Sequence, residues 1–101
     1  MYEIDWSDDA KADLRRVSVF ARKPIFLFVE RLRYEADVET RSRKPLKRPL
    51  PEIPEATWEG HVMGDYRVLY RINEGRTVRI LRAIMKGTET LSEAIRRSNK
   101  T

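Results

Sequence analysis

The chain has 101 residues, 41% of them hydrophobic and 37% charged, with a formal net charge of +5. This length supports one core, so a single domain over 1–101 is expected. Absent cysteine excludes disulfides, thiolate metal sites and a cysteine nucleophile, and the longest apolar run, IFLFV at 25–29, is far short of the ~20 residues of a membrane helix.

YEIDW at 2–6 alternates Tyr2, Ile4 and Trp6 against Glu3 and Asp5, which predicts a short strand. Its acidic surroundings lack the basic start of a signal peptide, and a cytoplasmic location is expected. Ser7 suits an N-cap, with Asp8 and Asp9 favoured at the first-turn amides. Ala10, Leu14, Val17 and Ala21 then mark a first helix over about 7–20. Pro24 fits the first turn of a second helix, whose stripe is Ile25, Phe28, Val29 and Leu32 and which fades near Asp37. Phe26 and Leu27 lie off that stripe, either as part of a wide core face or as an apolar groove left for a partner.

Residues 40–54, TRSRKPLKRPLPEIP, hold four prolines and the bases Arg41, Arg43, Lys44, Lys47 and Arg48. Three strand-like runs follow at 57–63, 65–72 and 77–84, with a Gly64-Asp65 turn and an NEG hairpin signal at 73–75 between them. In the last run Val78, Ile80, Arg82 and Ile84 alternate against Arg79, Leu81 and Ala83, so Arg82 is expected at a sheet end or in a salt bridge. Thr88 can cap a short last helix, with RRSNKT as a polar, fraying tail. The expected fold class is α+β: an N-terminal strand, a helix pair, a three-stranded antiparallel meander and a short C-terminal helix. The helix pair covers one sheet face; the other, with Glu59, His61, Arg67 and Arg71, is expected to be polar and basic. The loop at 40–54 is then an ordered or induced-order rim of that face, because the meander that follows it needs the earlier helices as cover.

No glycine-rich phosphate loop, nucleophile elbow or metal-ligand cluster is present in the sequence, so neither a metal nor a cofactor is called for. What remains is cationic. Guanidinium groups grip phosphate as a donor fork, and a lysine crowded by positive charge can lose its proton. Such a set can cleave RNA: a base takes the ribose 2′-proton, that oxygen attacks phosphorus, and arginine stabilises the phosphorane. Lys44, Lys47, Arg48 and Arg67 are the candidates, and each can equally be a solvated surface cation. His61 is structural or an acid–base group. The parity of Trp58, Tyr66 and Tyr70 favours the core over base stacking.

The order of elements, with the segments ETRSRKPLKRPL, WEGHVMGDYRVLYRINEG and VRILRAIMKG, resembles the RelE/ParE superfamily of type II toxin–antitoxin toxins over about residues 2–95. The most telling piece is GDYRVLYRI. The resemblance implies a RelE-like fold neutralised by a cognate antitoxin, which would give Phe26 and Leu27 a purpose, and operator DNA reached through the antitoxin complex. For the RelE branch it implies metal-independent mRNA cleavage on the ribosome, an endoribonuclease activity that inhibits translation. By position Arg67 matches the arginine on the scissile phosphate, Lys44 or Lys47 the base, and Lys86 the basic residue after the last strand. Arg41, Arg43, Arg48 and Arg71 would add RNA binding. No tyrosine follows Tyr70, which leaves the general acid to His61 or Lys86. ILRAIMKG also resembles the ParE branch, whose members poison DNA gyrase; a degenerate toxin that only binds its antitoxin is the third reading.

Overall fold

The computed structural model describes residues 1–100. The elements run β1 (Glu3–Trp6), α1 (Asp8–Arg16), α2 (Val19–Glu35), β2 (Arg43–Pro45), β3 (Trp58–Val62), β4 (Tyr66–Asn73), β5 (Thr77–Met85) and α3 (Leu91–Asn99). They form a five-stranded sheet in the order β1-β5-β4-β3-β2. The predicted meander is its centre: β3, β4 and β5 are antiparallel, β1 joins β5 in parallel, and the three-residue β2 pairs with β3.

Alternation in the strands and the 3.6-residue stripe of α2 meet on one sheet face. Ile25, Val29 and Leu32 pack there against Val62, Val68, Tyr70, Val78 and Ile80. Tyr70 is fully buried, donates its hydroxyl to Ala36 O at 2.9 Å and stacks on Trp58, so these aromatics serve the core. Burial also pushes the Tyr70 phenol well above its ordinary value.

Ser7 caps α1 as expected, accepting from Ala10 N at 3.0 Å, and its hydroxyl also reaches Leu81 O. Two helix boundaries differ from the sequence reading. α1 stops at Arg16, and α2 starts at Val19, so Pro24 lies inside α2. A proline there removes one backbone bond, to Phe20 O. Phe20 is 85% exposed, so the loss falls in a solvent-facing turn. The last helix is capped by Thr90, not Thr88: Thr90 Oγ1 accepts from Glu93 N at 3.2 Å while Glu93 Oε1 accepts from Thr90 N, a reciprocal capping box. The helix then runs through Arg96 and Arg97 to Asn99, so most of the expected tail is helical; Thr101 lies outside the described residues. Thr90→Ala is expected to lower stability by about 1 kcal/mol, and Thr88→Ala to leave thermal unfolding unchanged.

The second sheet face departs further from expectation. It carries a second core of Leu50, Ala56, Leu69, Leu81, Ile84, Ala94 and Ile95, roofed by α3 and by Leu46 and Ile53 of the proline-rich segment. The basic loop is thus ordered, as expected, but its apolar residues pack onto the face predicted to be bare. A β-bulge is the reason the parity misled. The register runs Leu69↔Arg82 and then Tyr70↔Ile80, so Leu81 is the extra residue. Beyond it Ala83 joins the first core, whereas Arg82 and Ile84 turn to the second face. Arg82 resolves into a buried salt bridge with Asp13.

Candidate cationic site at the edge of the sheet

The part of the second face nearest β2 stays polar. Strand alternation puts Glu59 and His61 on this side of β3, and the register sets Lys44 opposite Glu59 and Arg67 opposite His61. Three neighbouring strands therefore gather Lys44, Glu59, His61 and Arg67. The contacts centre on one carboxylate oxygen: Glu59 Oε1 lies 3.1 Å from His61 Nε2 and 3.1 Å from Arg67 Nε. The arginine contact is an ion pair rather than a directed hydrogen bond, since its Nε makes no well-angled bond. Arg67 Nη1 donates to Gly64 O at 2.9 Å and to Tyr66 O at 3.3 Å, which anchors the guanidinium to the β3–β4 turn. Met63 and Gly64 both have positive φ in that turn, 54° and 75°, the geometry that brings the Gly64 carbonyl under the arginine.

The side chains of Glu59 and Arg67 are each 12% exposed, that of His61 33%. Burial, then the Arg67 charge, pull the His61 imidazole below its ordinary value against the opposing pull of Glu59; Lys44 lowers it further. The net shift favours the neutral ring at pH 7. Chemically, the cluster offers a neutral imidazole, a carboxylate bonded to it and a fixed guanidinium, flanked by an exposed ammonium.

Lys86 follows the end of β5. Its N–H donates to Asp65 O at 2.7 Å, and it lies two residues beyond Ile84, the partner of Arg67, so it shares the Arg67 end of the sheet. The remaining candidates do not join the cluster. Arg43 is 3% exposed: its Nε donates to Val38 O at 2.8 Å and its Nη2 faces Glu35 at 3.6 Å, which removes it from any RNA-facing set. The reason is its register opposite Gly60, where the side chain turns inward. Arg41, Lys47 and Arg48 are exposed on either side of β2. Arg71 sits four residues along β4 from Arg67, about 13 Å away, bonded to Asn73 Oδ1 and Glu55 O. Phe26 and Leu27 are exposed on the outer side of α2.

Among the described residues no three His, Asp or Glu side chains gather to hold a metal, and no helix is long and apolar enough to cross a membrane. The model of the ParE toxin family of type II toxin–antitoxin systems, parDE, matches residues 4–90. The chain belongs to this toxin family.

Solved structures of RelE-type toxins share the fold. The RelBE2 toxin–antitoxin complex of Mycobacterium tuberculosis is 29% identical with a TM-score of 0.65, covering 84% of this chain and 98% of that one. The RelE–RelB complex of Pyrococcus horikoshii is 19% identical with a TM-score of 0.67, over 87% and 98%. The isolated Escherichia coli RelE toxin is 17% identical with a TM-score of 0.61, over 97% and 99%. No curated protein matches this toxin by sequence. Its α+β architecture is the fold of these RelE structures.

Sequence reasoning placed His61 and Arg67 on this face but passed over Glu59 as a functional candidate. The signal was present: Glu59 and His61 are two apart on one strand, and so are same-face neighbours.

Proposed function

We propose that this ParE-family toxin is a metal-independent endoribonuclease that cuts mRNA on the ribosome, inhibits translation and is held inactive by a cognate antitoxin. The observation that carries this reading is the fixed guanidinium of Arg67 beside a neutral imidazole, with Lys44 next to them and Lys86 at the same end of the sheet. Cleavage at a ribose 2′-hydroxyl needs a base, an acid and cations on the phosphate, and needs no prosthetic group. Exposed Arg41, Lys47 and Arg48 extend the positive surface for the RNA backbone. The exposed apolar pair Phe26 and Leu27 suits the antitoxin, and operator DNA would be reached through that complex.

A gyrase-poisoning activity is the second reading. It is favoured by the match to the ParE family itself and by the absence of tyrosine after Tyr70. A toxin that retains only antitoxin binding is the third. Arg67→Ala separates them. It is expected to abolish growth arrest on induction while thermal unfolding stays cooperative and the antitoxin still binds. Growth arrest undiminished by Arg67→Ala, with mRNA intact and DNA damage signalled, would move the activity to gyrase.

A further inference from the structure

We propose that His61 is the general base of this cleavage, acting through Nδ1, and that Glu59 is the positioning residue that fixes its tautomer. The inference rests on the endoribonuclease reading above and assigns the proton transfer within it. A carboxylate only accepts hydrogen bonds, so the 3.1 Å contact with Glu59 Oε1 puts the ring proton on His61 Nε2. In the neutral ring Nδ1 then keeps its lone pair. A carboxylate behind an imidazole holds the ring in one orientation and stabilises the imidazolium once it forms.

The surroundings agree with this role. Lys44 pairs with Glu59 and Arg67 with His61 across the adjoining strands. A cavity of about 310 Å³ opens beside His61, lined by Leu27, Phe28 and Arg31 of α2 and by Met63. The charged groups that act on the imidazole are Glu59 on its own strand, Arg67 on β4 and Lys44 on β2; Arg31 lines the cavity. Lysine is the alternative base, but a lysine base needs a buried or cation-crowded ammonium. Lys44 is exposed opposite a carboxylate and Lys47 is exposed on the loop.

The step balances as follows. Nδ1 takes the proton of the ribose 2′-hydroxyl as the O2′–P bond forms. The P–O5′ bond breaks, giving a 2′,3′-cyclic phosphate and a 5′-hydroxyl end. The Arg67 guanidinium donates to the phosphorane oxygens. The leaving O5′ takes a proton from the Lys86 ammonium, and both groups return to their starting states by exchange with water.

The test is cleavage of a translated mRNA on purified ribosomes by wild type, His61→Ala and Glu59→Gln, followed from pH 5 to 8. His61→Ala is expected to cut at least ~100-fold more slowly and to regain activity with added imidazole. Glu59→Gln is expected to cut more slowly and to shift the acid limb of the rate profile to lower pH, because the imidazolium loses its counter-charge. A purely structural Glu59 would leave that limb in place. If wild type cuts and His61→Ala cuts within threefold of it, the base lies elsewhere and the assignment fails while the endoribonuclease reading stands. A slow His61→Ala with no imidazole rescue, together with an unmoved limb in Glu59→Gln, likewise overturns it. If wild type cuts no mRNA, the reading of the function fails and the assignment falls with it.

Discussion

Replacing Asp13 with alanine is expected to lower the unfolding free energy by about 3–5 kcal/mol, the usual cost of leaving one partner of a buried ion pair alone. Asp13 is 3% exposed and Arg82 6%. Their contact is two-pronged, Nε to Oδ2 at 2.6 Å and Nη2 to Oδ1 at 3.0 Å. Asp13 Oδ2 also accepts from Ala83 N at 3.0 Å, on the edge of β5 that β1 leaves uncovered beyond Ile80. Arg82 Nη1 in turn donates to Asn99 Oδ1 at 2.7 Å. One carboxylate therefore ties α1 to the sheet edge and, through the arginine, to α3. Its removal strands a guanidinium and an amide together in a buried site. A domain of this size has about 5–15 kcal/mol of total stability, so the variant is expected to unfold tens of degrees earlier, at about 4–8 °C per kcal/mol. Replacing both partners at once, as Asp13→Leu with Arg82→Met, is expected to be far milder, since no charge is left unpaired. Chemical denaturation of Asp13→Leu, Arg82→Met and the double variant, as a double-mutant cycle beside wild type, measures the difference. A loss below about 1 kcal/mol for Asp13→Ala, the range of a solvated pair, would contradict this picture.

Gly60→Ala is the second large effect. A Cβ at Gly60 would stand 2.0 Å from Phe28 Cζ and 2.5 Å from its Cε1. The obstacle is a ring on α2 packed against the first core, so either the ring leaves its place or β3 backs away from the helix. Overpacking of this kind costs about 1–3 kcal/mol and occasionally more. Backing away would also move Glu59 and His61, which flank Gly60 on β3, and so activity is expected to fall along with stability. Phe28→Ala in the same chain removes the obstacle. The double variant is expected to be less destabilised than the sum of the single ones, as unfolding curves of the four proteins would show. Wild-type stability for Gly60→Ala alone would contradict the contact.

The elements that could be read from the sequence are those whose pattern is local. Alternation in β1, β4 and the first half of β5, the stripe of α2 and the Ser7 cap are set by neighbours within a few residues, and each was legible. The bulge at Leu81 was not, because a one-residue slip in pairing is decided between strands, and it reverses the face of every side chain after it. That slip turned Arg82 from an anomaly on a core face into the buried partner of Asp13. The second core was hidden for a related reason. Leu46, Leu50, Ile53 and Ala56 are broken up by prolines and follow neither a helical nor a strand period, so nothing marked them as interior. Within the candidate site, parity placed Arg67 and His61 correctly, whereas composition alone made Arg43 look like the four other bases of its loop. Its burial depends on the pairing of β2 with β3, which no pattern in three residues announces.

The measurement that tests the central claim most directly is induction of this chain without its antitoxin, followed by mapping of the 5′ ends of a translated reporter mRNA. The account predicts growth arrest with new 5′-hydroxyl ends placed in frame with codons. These ends should vanish when translation of that message is blocked, and should also vanish in Arg67→Ala. Intact reporter mRNA in arrested cells would contradict it and assign the toxicity to another target, DNA gyrase first; intact mRNA in healthy cells would leave a toxin without its chemistry.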